Sequence, residues 1–425
     1  MKILTLVHRF PYPPVQGDCI RSWGEVEYLS SRHDVWLACV DRAVPSTLHM
    51  QRARQCCRDV VVSVRPSLSC LLRGGLSLLG GRSLTEGYFY DSRLARVVSR
   101  WDRQVGFDAV LTFSPAMAMY AGLVSARRRV LDMNDVESGK WHSYARRSWP
   151  PQRWLYGWEA RRLPRAESAW IQSHDVTLLV NELERAKVPA DLTRYTGVVR
   201  TGVDTGSYAP GQPGADFGQL PSSPVVGMLG SMSYAPNVRS VNWFGTRVWP
   251  RVRAMLPDAR WLIVGRQPTR SVRRWARRPG VVVTGFVDDV LPQLAAMRVF
   301  ACSPREQIGV QTKLIEALAA GRPAVVTPQA AAGIDYDDPA PFAIAGSPAE
   351  FADAVVRLMR DDAQAWVLSR RARAVACDNY DRVDQVRRIE RLLAGDAAGA
   401  DPVESSVPSS EGATVLDSPP EVVRF

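Results

Sequence analysis

The chain has 425 residues, 46% of them hydrophobic and 23% charged, which is enough apolar material for two or three cores and excludes a disordered chain. Its net charge of +11 and pI of about 9.6 suit nucleic acid, an anionic membrane or phosphate-bearing small molecules, and the spread of the excess along the chain does not choose among them. Seven cysteines with no CxxC pair argue against a disulfide framework and a zinc site, and point to a reducing compartment.

Met1 to Val7 is a short apolar run that meets His8, Arg9 and Pro11 at once, so it does not read as a signal peptide. The run KILTLVH predicts a buried strand, followed by the loop FPYPPVQGD and a helix with Ile20, Trp23, Val26 and Leu29 on one face. Further strands are expected at Asp34 to Val40, Asp59 to Val64, Asp108 to Phe113 and Arg128 to Met133, with Ser168 to Ser173 and Val198 to Val203 closing this half. Between them, the apolar stretch around Leu68 to Leu79 is broken by Arg73, Gly74 and Gly75, and it falls short of the roughly 20 residues a spanning helix needs. Continuous apolar strands alternating with helical segments predict a parallel sheet covered on both faces.

The stretch TGSYAPGQPGADFGQLPSSP is rich in Gly, Pro and Ser and reads as a linker. A second αβ series then follows: PVVGMLG, a helix from Val238 to Leu256, ARWLIVG, VVVTGFV, RVFACSP, a helix opened by Thr312, and PAVVTP. SPAEFADAVVRLM is a helix with Ser347 as its N-cap and proline at its first position. A last helical stretch runs from Ala363 to Leu393 with a break near Asp378. The expected organisation is a first Rossmann-like domain over 1–205, a linker over 206–224 and a second Rossmann-like domain over 225–378. A helix over 379–394 would return to the first domain, and 395–425 would form a disordered tail.

Ligands of such folds bind where strand C-terminal ends and helix N-termini converge. In the loop after the first strand, Gly17 permits close backbone approach and Arg21 could supply a forked phosphate donor. The same residues also fit a plain turn before a surface helix. G-x-G-x-x-G and GxxxxGK[ST] are both absent, so nicotinamide chemistry and a P-loop are poorly supported.

TGVDTGSYAP (Thr201 to Pro210), TGFVDDV (Thr284 to Val290) and KLIEALAAGRPAVV (Lys313 to Val326), in this order on two Rossmann-like domains, resemble the GT-B glycosyltransferases of family 4. HRFPYPPVQGDCIRSW and DMNDVESGKW (Asp132 to Trp141) further resemble a subgroup associated with exopolysaccharide and PEP-CTERM systems. The resemblance implies retaining transfer of a sugar from a UDP- or GDP-linked donor to a glycan or polyprenyl-linked acceptor, with no metal and no other cofactor. It makes Glu316 the ligand of the nucleotide ribose, and it puts the base against backbone groups of Phe286 and Val287.

The chain departs from the family at three places. The usual first glutamate falls at Ile308, so either Glu306 replaces it or backbone N–H groups of Val310, Gln311 and Thr312 hold the sugar and diphosphate; the second reading is preferred. The usual arginine and lysine after the first strand of the second domain fall near Ser231 and Pro236, which leaves Lys313 and Arg266, with Arg21, to neutralise the diphosphate. Where the family often has histidine stands Asn134, followed by Asp135, and these are the candidates to orient sugar hydroxyls.

The D-x-D pattern in DYDD (Asp335 to Asp338) reads as a solvated acidic turn, and among the histidines only His8 lies by the first loop. Trp141 to Arg165 is crowded with Trp, Tyr and Arg, which suits either attachment to an anionic membrane or a helix pair with its aromatics packed inward. No nucleic-acid motif accompanies it. The expected location is cytoplasmic, with peripheral contact at the inner face of the membrane. A silent sugar-nucleotide binder and a sugar-nucleotide epimerase are the competing functions.

Overall fold

The computed structural model describes residues 1–15, 17–65, 81–209, 218–306 and 309–396. The apolar stretch around Leu68 to Leu79, Ile308, residues 210–217 of the linker and nearly all of the tail lie outside the described residues.

The first sheet has seven parallel strands: β1 (Lys2–Val7), β2 (Asp34–Asp41), β3 (Asp59–Val64), β4 (Ala109–Phe113), β5 (Arg128–Asn134), β6 (Val176–Leu179) and β7 (Thr196–Val198). Their order across the sheet is β3-β2-β1-β4-β5-β6-β7. The period-2 alternation of a strand sends neighbouring residues to opposite layers. Ile3 and Val7 accordingly join a core with Trp23, Val26 and Leu29, while Leu4 and Leu6 join one with Leu94, Val98 and Trp101.

The second sheet has six parallel strands in the order β10-β9-β8-β11-β12-β13: β8 (Val225–Leu229), β9 (Arg260–Val264), β10 (Val281–Gly285), β11 (Val299–Cys302), β12 (Ala324–Val326) and β13 (Ala343–Ile344). Strand order reverses beside β1 in one sheet and beside β8 in the other, and each reversal opens a crevice at the strand C-terminal ends.

Two strand expectations are corrected. Ser168 to Ser173 is the end of a helix, Gln152–Gln172. Its buried residues Ala160, Leu163, Glu167, Trp170 and Ile171 recur at helical rather than alternating spacing, so the short apolar run WI belongs to one helix face. The closing strand is Thr196–Val198, just before Val199 to Val203. The break in the last helical stretch falls at Asp381, three residues beyond Asp378; its carboxylate accepts from Val383 N and Asp384 N and caps helix Arg382–Leu393.

That final helix packs Val386, Ile389, Leu392 and Leu393 into the core of the first sheet. The chain therefore crosses between the sheets twice, and the two crossings pair: Val203 N donates to Tyr380 O at 2.8 Å, and Arg382 N donates to Val203 O at 2.9 Å.

Candidate active-site cleft

A cleft of about 1170 Å³ lies between the strand ends of the two sheets. Gly17, Arg21, Asn134, Asp135, Arg266, Phe286, Val287, Val310, Gln311, Thr312, Lys313 and Glu316 line it.

The second-domain wall is built on helix Thr312–Ala319. Leu314, Ile315, Ala317 and Leu318 are buried in the core, so the opposite side carrying Thr312, Lys313 and Glu316 faces the cleft. Gln311 at the N-cap makes no side-chain capping bond, which leaves the first-turn N–H groups and the positive end of the helix dipole turned toward the cavity. A Cβ built on Gly17, at the N-terminus of helix Gly17–Ser30, would lie 3.8 Å from Thr312 Oγ1. Two helix N-termini thus approach each other across the cleft.

Lys313 Nζ donates to Asn237 Oδ1 at 2.5 Å, and Asn237 Nδ2 donates to Ser231 O at 3.0 Å. The lysine is therefore held toward the loop after β8. Burial lowers the Lys313 pKa; burial raises that of Glu316 to about 7, against the pull of Lys313. Arg266 and Phe286 complete this wall, and Phe286 is 67% exposed.

On the first-domain wall, Asn134 ends β5 with φ +65°, a left-handed conformation that asparagine tolerates better than most residues. Asp135 follows. Its Oδ2 accepts from Lys140 Nζ at 2.9 Å, whereas Oδ1 is buried without a hydrogen-bond partner and points toward Gly309, on which an added Cβ would lie 3.4 Å from it. Lys140 also reaches Glu137 Oε1 at 3.1 Å. Burial opposes the Lys140 charge, but Asp135 and Glu137 outweigh it and raise the pKa above the ordinary lysine value.

Two expected residues are otherwise engaged. Arg21 is 7% exposed; its Nε and Nη2 donate to Asp132 at 2.6 and 3.0 Å, and Nη2 also donates to Val199 O. It serves first as the counter-charge of a buried aspartate, with only Nη1 lacking a partner. Glu306 is not among the cleft-lining residues; its Oε2 accepts from Arg239 Nη2 at 3.0 Å.

The acidic turn is also not simply solvated, because Asp335 Oδ2 pairs with Arg200 Nε at 2.9 Å and joins the two domains. Asn237 and Lys140 were not anticipated from sequence. Each is an ordinary helix residue by local pattern, and only the fold brings Asn237 to a lysine 76 positions away.

Residues 223–361 match the family Glycosyl transferases group 1. No curated protein sequence matches the chain. Among solved structures, HepE of Anabaena in complex with UDP and glucose has a TM-score of 0.63 at 15% identity, with 93% of this chain and 99% of that chain covered. Sucrose-phosphate synthase from Thermosynechococcus elongatus gives 0.65 at 13%, covering 93% and 99%. The alpha,alpha-trehalose 6-phosphate synthase of Burkholderia multivorans gives 0.57 at 12%, covering 94% and 100%. The group 1 match in the second domain and the paired parallel-sheet architecture together make this chain a glycosyltransferase of the GT-B fold.

Proposed function

We propose that the chain transfers a sugar from a UDP- or GDP-linked donor to a hydroxyl of a glycan or polyprenyl-linked acceptor, with retention of anomeric configuration, in exopolysaccharide synthesis. The observation that carries this reading is the face of helix Thr312–Ala319, where a lysine and a glutamate three residues apart share one cleft with uncapped N–H groups. The diphosphate lies on the N–H groups of Val310, Gln311 and Thr312 and on Lys313 and Arg266. Glu316 accepts the ribose hydroxyls, the base rests by Phe286 and Val287, and the sugar hydroxyls reach Asn134 and the unpartnered Oδ1 of Asp135. HepE, of the same fold, is in complex with UDP and with UDP-glucose in two further structures, which favours uridine over guanosine.

The placement of charge around the leaving group supports the retaining reading. As the glycosidic bond breaks, negative charge collects on the leaving diphosphate, and preorganised dipoles and cations there lower the barrier. The departing phosphate then takes the proton of an acceptor hydroxyl attacking from the same face, so no opposed carboxylate pair is required. The exopolysaccharide setting rests on the resemblance of the loop after β1 and of Asp132 to Trp141.

The reading extends to peripheral attachment at the cytoplasmic face of a membrane. Helices Ser138–Arg147 and Gln152–Gln172 form a hairpin in which Leu163 and Trp170 pack inward. Trp149 and Trp154 face out, 85% and 69% exposed, with Trp158 at 44% beside them. Arg153, Arg161 and Arg165 are exposed on the same helix. Outward tryptophans among arginines suit the interfacial zone of an anionic bilayer. No helix among the described residues is long and apolar enough to cross a membrane.

A panel of UDP-, GDP- and dTDP-sugars followed by proton NMR tests the chemistry, because slow donor hydrolysis is visible even without the acceptor. Release of the sugar first as the donor's own anomer is expected. First release of the opposite anomer overturns retention, and no turnover of any donor overturns the assignment of a nucleotide-sugar substrate.

A further inference from the structure

The loop that leaves β5 carries Asn134 and Asp135 into the cleft, and two acids hold it from behind. Val136 N donates to Glu184 Oε2 at 3.1 Å, and Ser138 N donates to Glu167 Oε1 at 3.0 Å. Both acids are 4% exposed, and neither lines the cleft. Burying a carboxylate is unfavourable, and each of these is offset in part by the N–H it accepts. Helix Ser138–Arg147 has Glu137 at its N-cap position with no side-chain capping bond. Glu167, from helix Gln152–Gln172, supplies an acceptor and a negative charge at that positive helix end instead.

The two contacts converge on Asp135. Glu184 fixes the backbone one residue beyond it, and Glu167 fixes the first turn of the helix whose Lys140 Nζ donates to Asp135 Oδ2 at 2.9 Å. Asp135 is thus held through its main chain and through one carboxylate oxygen. Oδ1 is left buried without a hydrogen-bond partner, facing Gly309 of the other domain. Glu184 is itself set in place: its N–H donates to Asn181 Oδ1 at 2.8 Å, and its Oε1 accepts from Lys187 Nζ. Val180 N closes the loop from the end of β6 by donating to Asn134 O at 2.9 Å.

We propose that Glu184 and Glu167 are positioning residues for the transfer, acting through the loop they hold to aim Oδ1 of Asp135 at a hydroxyl of the donor sugar. The proposal rests on the glycosyl-transfer reading above and adds to it two residues that lie outside the cleft.

The test combines steady-state turnover of the best donor from the nucleotide-sugar panel with calorimetry of UDP and amide exchange across residues 134–140. Glu184→Ala lowers kcat about tenfold or more while KM and UDP affinity move less than about threefold, because the lost bond misplaces a reacting group rather than removing a binding contact. Glu184→Gln, whose amide oxygen still accepts from Val136 N, restores most of kcat. Added to Asp135→Asn, Glu184→Ala costs about twofold or less, since the group being aimed is already gone. Equal losses in the two backgrounds, an unchanged kcat in Glu184→Ala, or a UDP affinity that falls together with kcat overturns the proposal. Should Glu184→Ala not fold, Glu167→Ala, which frees the same loop at Ser138, is held to the same outcomes. A wild-type chain that turns over no donor sinks the transfer reading, and exchange then decides the positioning. Exchange about tenfold faster across residues 134–140 in Glu184→Ala, with melting still cooperative, supports it, and unchanged exchange overturns it.

Discussion

Lys313 and Glu316 stand on a helix whose residues Leu314, Ile315, Ala317 and Leu318 are sealed in the core, so the pair is turned toward the cleft. Glu316 bears the cost of that position: burial raises its pKa to about 7. Between its ordinary value near 4.5 and about 7 the folded chain holds a proton that the unfolded chain has released, so the wild-type protein loses stability as pH rises through that window. Glu316→Gln removes this loss. The variant is expected to gain about 1–2 kcal/mol relative to wild type as pH rises from about 4.5 to 7, after discounting for partial exposure, with no further change above it. Urea unfolding of both proteins at pH 5 and 8 measures it; a difference independent of pH would contradict the buried-acid description. Glu316 and Lys313 were legible because their helix, glycine turn and strand form a local pattern. Asn237, which holds Lys313, and Lys140, which holds Asp135, were not, since tertiary packing alone brings Asn237 to its partner and gives Lys140 its place in the cleft.

At the level of elements, parallel strands buried on both faces read clearly as apolar runs, and most fall where the sequence predicts them. The run SAWIQS failed because a buried helix face and a short buried strand look alike over four residues, and the two-residue strand β13 is too short to carry a period. The paired crossings between the domains were equally invisible, although one glycine marks them. A Cβ on Gly202 would lie 2.5 Å from Arg382 Cα, a contact with backbone that no rotamer relieves. Gly202→Ala must therefore push helix Arg382–Leu393 away from its seat and is expected to destabilise the protein by about 1–3 kcal/mol. Amide exchange should quicken in that helix ahead of the second sheet. Unchanged exchange there would show that the crossing tolerates a side chain and that the close approach is not what seats the helix.

Over the whole molecule, two sheets, a returning helix and the Arg200–Asp335 ion pair hold two helix N-termini face to face across one cavity. The strand pattern anticipated the two doubly wound halves, but the closeness of Gly17 to Thr312 is a property of the assembled pair alone. The exposed tryptophans lie apart, at the tip of the hairpin around Trp149 and Trp154. Sedimentation with vesicles containing anionic lipid should pellet the wild-type chain, and the double substitution Trp149→Ala with Trp154→Ala should return it to the supernatant; equal recovery with neutral and anionic vesicles would remove the membrane role. In the proposed function the cleft takes a nucleoside diphosphate with Lys313 as a principal counter-charge. Calorimetric titration of UDP into wild type and Lys313→Ala tests it most directly: saturable binding at one site, weakened roughly 10- to 100-fold by the substitution, is predicted, and UDP binding that is absent or indifferent to Lys313→Ala would contradict it.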